Sequence, residues 1–381
     1  MIAIAGPFFF IVVIMLGAGI FLSGFFARQL VMSDEPNERS SHDAPTARAG
    51  GIAIFGVFFL GLTLTIMFGQ SSAFGHLNRL NESHSGFTSF ACLIVAAVLV
   101  GLFDDIYGLK PRLKFVGQLF IAVLFVSMIG SVNSVPLPFF GMTNIGVLGF
   151  PLTIFWIVAF MNAYNFMDGA NGLAACVAIF VLLVISMLAG AVGASGVTLL
   201  AFLLAVAICA FLPQNMLLRA PFSKGIFMGD SGSQGISFMI AGLAVFPGKW
   251  GDSAIAGEIV QPTVSILLVP VLMLPFITDV TFTLFDRYKR KQNLLLAHRE
   301  HIYQLLMRMD LSHGEVSALY LGGSAISAIA ALIMLSMPPS WQWIIPVLLI
   351  TAFWRVAMSV SHKGKERNLL KSGVDETLLK V

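Results

Sequence analysis

The sequence predicts an all-α, polytopic membrane protein of about eleven transmembrane helices, N-terminus outside and C-terminus cytoplasmic. Three observations predict it. Of the 381 residues, 57% are hydrophobic and only 11% charged, against about 25% charged in an average soluble domain. The apolar residues fall in repeated runs near the length that crosses a hydrocarbon core. The basic residues collect in alternate loops, the pattern expected of segments held in the cytoplasm.

The runs follow in order. Ile4–Ala27 has no basic stretch ahead of it, and its apolar character persists to about Leu30. That is too long for a cleaved signal peptide and reads as a retained helix. Gly51–Phe68 and Phe87–Phe103 carry no charge. Leu113–Ile129 comes next and leads into SVNSVPLPFFGMTNIGVLG, an uncharged Pro/Gly-containing stretch that reads as irregular and interfacial. Gly146–Met161, Leu173–Ala189, Val197–Phe211 and Ser233–Phe246 continue the series. Thr263–Phe285 contains Pro270 and Pro275, so a kink or break is expected there. Val316–Met337 and Trp341–Val360 complete it. Residues 1–361 then form one integral-membrane domain, and 362–381 a polar cytoplasmic tail.

If the loop after the first run is cytoplasmic, the alternating segments hold every basic residue except Arg79 and Lys249. The net charge of +3 gives no case for nucleic acid as a partner. Cys92, Cys176 and Cys209 all lie in apolar runs, where an odd number of thiols argues against a disulfide framework and a metal cluster.

The polar motifs gather in the same cytoplasmic segments. Asp104 and Asp105 sit where the third run stops. Two adjacent acids there face the lipid boundary, the negative end of a helix dipole and each other. A cation must compensate, either a divalent metal or one of Lys110, Arg112 and Lys114. NERSSHDAPTARAGGIAIF, Asn37–Phe55, reads as a basic loop with tightly packed Gly50 and Gly51, or as an anion-binding helix mouth. In NAYNFMDGANGLAA, Asn162, Asn165 and Asp168 are spaced by three and share a helix face if the helix continues. Their oxygens suit a hard cation or a nucleobase edge, but the same residues beside glycine make ordinary caps and turns.

In KGIFMGDSGSQG, Asp230, Ser231 and Ser233 are either plain N-caps or a diphosphate site with its metal on Asp230. Phe227 is placed to stack a base or to anchor at the interface. In AHREHIYQLLMR, His298, Arg299 and His301 suit phosphate oxygens, and His298 or His301 can transfer protons. The same stretch also reads as an amphipathic surface helix with Ile302, Leu305 and Leu306 toward the bilayer. Asp279, the one acid inside a run, is a functional group or a helix–helix hydrogen bond with Thr278 or Thr281.

Taken in order, APTARAGG, GLFDD, NAYNFMDGANGLA, FMGDSGS and HREHIYQ resemble the polyprenyl-phosphate N-acetylhexosamine-1-phosphate transferases, over about Asn37 to Arg308. The resemblance implies that a polyprenyl phosphate, such as undecaprenyl phosphate, attacks the β-phosphate of a UDP-N-acetylhexosamine and releases UMP. It implies Mg²⁺, with Mn²⁺ as a substitute ion, on Asp230 and Asn165. It implies catalytic roles for Asp104, Asp105 and His298. Substrate contacts would come from Asn162, Asp168, Asn171, Phe227, Ser231, Arg299 and His301, with Lys110 and Arg112 as secondary partners of the doublet.

Two departures matter. Asn171 stands where many relatives carry a second acid, which argues against a direct metal role there. HREHIYQ differs from the adjacent-histidine form of the peptidoglycan enzyme, and looks like the branch that begins O-antigen or another surface polysaccharide. The implied sugar is GlcNAc or a deoxy-N-acetylhexosamine such as QuiNAc or FucNAc. The implied setting is the bacterial inner membrane with the site on the cytoplasmic face; oligomeric state stays open. The competing readings are the muramoyl-pentapeptide reaction and, from a different class, a transporter or flippase. The near absence of ionisable residues within the runs argues against transport.

Overall fold

The computed structural model describes residues 2–29, 33–34, 46–69, 84–191, 194–216, 225–245, 266–294, 296 and 298–372. Helices dominate: α1 (Ile2–Gln29), α2 (Gly50–Gly69), α3 (His84–Tyr107), α4 (Pro111–Met128), α5 (Gly149–Met167), α6 (Leu173–Ala191) and α7 (Ser195–Met216). They continue as α8 (Gly229–Val245), α9 (Leu268–Leu272), α10 (Leu274–Lys289), α11 (Ile302–Arg308), α12 (His313–Leu335) and α13 (Ile344–Ser372). The chain is an α-helical, multi-pass membrane protein.

Among the described residues, nine helices are long and apolar enough to cross a membrane, against the eleven runs expected. The other two runs also lie in helices. Ser233–Phe246 corresponds to α8, a helix of 17 residues. Thr263–Phe285 is broken as its prolines predict: α9 ends at Leu272, and α10 restarts with Pro275 in its first turn. At the other end of the chain, α13 does not stop near Val360 but runs on through Ser372, into the segment expected to be a tail.

The uncharged Ser131–Gly149 stretch is more regular than its composition suggests. It holds an antiparallel hairpin of β3 (Ser134–Leu137) and β4 (Gly141–Asn144), with Val135 opposite Thr143. A second small ribbon pairs β1 (Ser33–Asp34) with β2 (Thr46–Ala47).

Helix α8 is the axis of the fold. Every residue from Ser231 to Ala244 is buried, because α2, α3 and α5 pack around it. Small residues permit this approach, as they do between helices in lipid. Gly235 leaves room for Phe55 and Val98, and Gly242 for Phe90. The polar start of α8 therefore lies where several other helix ends meet. Helix α11 is not laid on the bilayer as its sequence suggested. Ile302 and Leu305 are buried with Phe282 and Ala357, so its apolar face packs on α10 and α13.

Candidate active site

Four helix ends supply the first group of side chains. Asp104 and Asp105 lie in the last turn of α3, Lys114 in the first turn of α4, Asn165 near the end of α5, and Asp230 at the start of α8. Each end has a local cause. Pro111 opens α4, since its missing N–H is not needed there. Gly229, at φ +73°, turns the chain into α8, where a side chain would meet the Arg48 carbonyl and the Asp105 carboxylate.

The doublet divides into two jobs. Asp105 Oδ1 accepts the Asp230 N–H and Oδ2 the Ser231 N–H, both at 2.8 Å. The negative end of α3 thus caps the positive end of α8, which offsets both dipoles. Asp104 Oδ1 accepts the Leu109 N–H at 2.8 Å, and its Oδ2 pairs with Lys114 Nζ at 2.8 Å. Lys114 also bridges to Asp230 Oδ1 and donates to Asn165 Oδ1 at 3.3 Å. Asn165 Nδ2 in turn donates to Asp230 Oδ1 and Ser233 Oγ, both at 2.7 Å.

The compensating base is therefore Lys114. Lys110 and Arg112, expected as secondary partners, are exposed, because the start of α4 turns only one face toward α3. Lys114 and Gln118 are four apart on that inner face. Gln118 donates to Gln234 Oε1 at 2.9 Å and accepts from Asn162 Nδ2 at 2.7 Å, so Asn162 belongs to a buried amide chain beneath the site.

Asp168 terminates α5. Burial raises its pKa well above its ordinary value, and the nearby carboxylates of Asp230 and Asp105 add to this.

Two expected phosphate-binding surfaces are already occupied. The Gly50 and Gly51 N–H groups donate to the carbonyls of Phe227 and Met228 at 3.0 and 2.7 Å. The N–H groups of Asp230 and Ser231 are held by Asp105. Of the two readings of each motif, the bonding matches the plain one: Gly50 and Gly51 pack against the loop before α8, and the Ser231 N–H is taken by Asp105. Residues 37–45 of that motif lie outside the described residues. Phe227, half-buried, donates its N–H to the Ala47 carbonyl at 2.8 Å.

The second group surrounds His301. Its ring stacks on Phe166 at 5.7 Å and on His298 at 4.9 Å, so it rests against the turn of α5 that carries Asn165 and Asp168. Gly169 leaves space for the Tyr303 hydroxyl at the same turn. His301 Nδ1 lies 3.1 Å from Asp279 Oδ1. Asp279 does not bond Thr278 or Thr281; Thr283 donates to it at 3.3 Å instead.

Arg287 pairs with Glu300 at 2.9 Å, and Arg290 also reaches Glu300. Burial lowers the His298 pKa to about 4, with His301 and Arg287 contributing, so its ring is neutral at pH 7. His298 Nδ1 and Arg299 Nη2 are buried polar atoms without a partner among the described residues. Asn171 lies apart from both groups in its bonding: its N–H donates to His313 Nδ1 at 3.0 Å and its carbonyl accepts from Ser317 at 3.2 Å.

Among the described residues, no three Asp, Glu, His or Cys side chains converge as a preformed metal cage. Asp230 Oδ1, Asn165 Oδ1 and Asp104 Oδ2 all converge on the Lys114 ammonium, a set of oxygens that already holds one cation. Mg²⁺ takes such sets, using one or two carboxylates and completing its shell with phosphate and water. The residues present fit that ion.

Sequence reasoning missed Gln118 and the hub role of Asp279, and it underrated Lys114. A four-residue spacing after Pro111 was the available signal for Lys114 and Gln118; the partners of Asp279 had none.

The family model for glycosyl transferase family 4 matches residues 87–247, which include every member of the first group. The chain is 28% identical over 337 residues to a Bacillus subtilis protein named "Probable undecaprenyl-phosphate N-acetylglucosaminyl 1-phosphate transferase", covering 88% of this chain and 86% of that one. It is 27% identical to the Mycolicibacterium smegmatis decaprenyl-phosphate N-acetylglucosaminephosphotransferase, covering 87% and 82%. It is 24% identical to the Salmonella typhi undecaprenyl-phosphate alpha-N-acetylglucosaminyl 1-phosphate transferase, covering 92% and 90%.

Proposed function

We propose that this chain, a member of the polyprenyl-phosphate N-acetylhexosamine-1-phosphate transferase family, moves an N-acetylhexosamine-1-phosphate from a UDP-sugar to undecaprenyl phosphate. The acceptor oxygen forms a bond to the β-phosphorus, the bond from that phosphorus to the oxygen bridging to the α-phosphate breaks, and UMP leaves. The observation that carries this reading is the meeting of Lys114, Asp104, Asn165 and Asp230 at the ends of four helices. It is an oxygen-rich cluster with one fixed ammonium at the end of a membrane bundle. Phosphoryl transfer needs positioning and charge neutralisation above all.

Asp230 and Asn165 would hold Mg²⁺, with Mn²⁺ able to substitute. When bound, the ion supplies charge neutralisation on the diphosphate. Lys114 adds a positive charge at a stated place, beside Asp104 and Asp230. Asp105 caps α8, whereas Asp104 lies against the Lys114 ammonium, a positive charge that suits a phosphate; this supports Asp104 as the member of the doublet that orients the lipid phosphate. His298, neutral at pH 7, suits a hydrogen bond to substrate rather than proton uptake, and Arg299 Nη2, without a partner among the described residues, is a donor for a substrate oxygen.

The basic residues of the alternating loops support a cytoplasmic site in the bacterial inner membrane. The names of the relatives support GlcNAc as the sugar, and the HREHIYQ segment supports GlcNAc or a deoxy relative at the start of a surface polysaccharide. The test uses detergent-purified protein, undecaprenyl phosphate, Mg²⁺ and a panel of UDP-N-acetylhexosamines. UMP release with at least one sugar is expected. No release with any, alongside substrate movement across vesicles, points to a transporter instead.

A further inference from the structure

Asp279 is 2% exposed, in the interior of a membrane protein. An acid there is costly unless its acceptors are filled. They are filled from three elements: α10 itself, where Thr283 donates to Oδ1 at 3.3 Å, then α11 and α12. Oδ1 accepts the Ile302 N–H at 2.9 Å, Oδ2 accepts the Tyr303 N–H at 3.1 Å, and the Tyr320 hydroxyl of α12 donates to Oδ2. His301 Nδ1 completes the set at 3.1 Å from Oδ1.

A carboxylate only accepts, so His301 must carry its proton on Nδ1 to make this contact. In the neutral ring, Nε2 is then the bare nitrogen. The ring cannot turn away, because Phe166, His298 and Tyr303 stack around it with centroids 5.7, 4.9 and 6.0 Å away. A carboxylate behind one imidazole nitrogen sets what the other can do: it selects the tautomer and stabilises positive charge on the ring.

We propose that Asp279 is a positioning residue for His301, holding the ring in its Nδ1–H form so that Nε2 is left as the acceptor for a hydroxyl or N–H of the sugar donor. The proposal rests on the transferase reading above. It gives the one acid inside a run a task beyond helix packing, and it makes α10 and α12 part of the reaction machinery.

A double-mutant cycle tests it, with Asp279→Asn and His301→Gln alone and together, and UMP release as the readout. Removing a group that orients a functional histidine costs roughly 10–100-fold. We expect that loss for Asp279→Asn on the wild-type background, and less than about twofold on the His301→Gln background, since residues acting as a unit are not additive. An equal loss on both backgrounds overturns the proposal, because it means that Asp279 only holds α11. If Asp279→Asn does not fold, Tyr320→Phe takes its place in the cycle, as it withdraws one bond from the same carboxylate.

An ¹⁵N-histidine spectrum of the wild-type protein supplies a readout independent of turnover. A neutral ring protonated at Nδ1, absent from His301→Gln, is expected; a neutral His301 protonated at Nε2 overturns the proposal. If the wild-type protein releases no UMP with any UDP-N-acetylhexosamine, the functional reading fails, and the spectrum still decides the tautomer.

Discussion

The Ser231 N–H donates to Asp105 Oδ2 at 2.8 Å, so the last turn of one helix caps the first turn of another 126 positions along the chain. Asp104, its neighbour, is turned toward Lys114. The two acids should therefore fail differently. Asp105→Ala leaves two N–H groups without their acceptor, at about 1–3 kcal/mol each if they stay dry. It should lower the melting temperature and also stop UMP release, because Asp230 loses its placement. Asp104→Asn keeps an acceptor for Leu109 and should stop UMP release with little change in melting. Equal melting losses in the two variants would contradict this division.

Gly51 and Gly56 lie on the same helix and should respond oppositely to a methyl group. A Cβ on Gly51 collides with the Gly232 nitrogen and the Ser231 hydroxyl, whereas one on Gly56 meets nothing within 4 Å. Overpacking costs about 1–3 kcal/mol, so Gly51→Ala should destabilise the protein and impair transfer by shifting the start of α8. Gly56→Ala should leave both unchanged. Thermal melts and UMP release, measured side by side, check the contrast.

His298 should make the protein sensitive to acid. Its folded pKa of about 4 lies below the ordinary 6.5, for reasons of burial first, then His301 and Arg287, with Glu300 opposing. Above pH 6.5 both folded and unfolded forms are neutral and nothing is lost. As pH falls from 6.5 toward 4 the unfolded chain takes up the proton first, so folded stability declines in that window. The melting temperature of His298→Gln should fall less between pH 7.5 and pH 5 than that of the wild type. Parallel falls would show that another group dominates.

Chelation and Lys114 address the cluster from two sides. EDTA should stop UMP release in the wild-type protein, and excess Mg²⁺ or Mn²⁺ should restore it. Lys114→Met removes the ammonium shared by Asp104 and Asp230. Breaking one partner of a buried ion pair costs about 3–5 kcal/mol, and these side chains are only partly buried, so a smaller loss of stability is expected. Added metal should not restore transfer in this variant. Full rescue by metal alone would reduce Lys114 to a spare counterion.

Much of this was legible in the sequence because the signals are local. An apolar run reports a span through its length, and Pro270 and Pro275 report a break through missing donors. The adjacent acids report that a cation is near. None of these says which cation. Lys110, Arg112 and Lys114 are equivalent as letters, and only the rotation of α4 against α3 turns Lys114 inward. The glycines of Gly50–Gly51 show the same limit: a helix mouth free to bind phosphate and one closed by the carbonyls of Phe227 and Met228 have the same sequence.

By itself, then, the sequence determined that this is a helical membrane protein, that its polar motifs share the basic loops, and which residues carry the family resemblance. Period, length and composition act over a turn or a span, so they can be read along the chain. The tertiary structure alone decided that Asp105 caps α8, that Asp104 and Asp230 share Lys114, and that Asp279 stands behind His301. Those contacts join residues 10 to 126 positions apart. They depend on how buried helices rotate and approach, which is settled by packing around α8 and has no local signature.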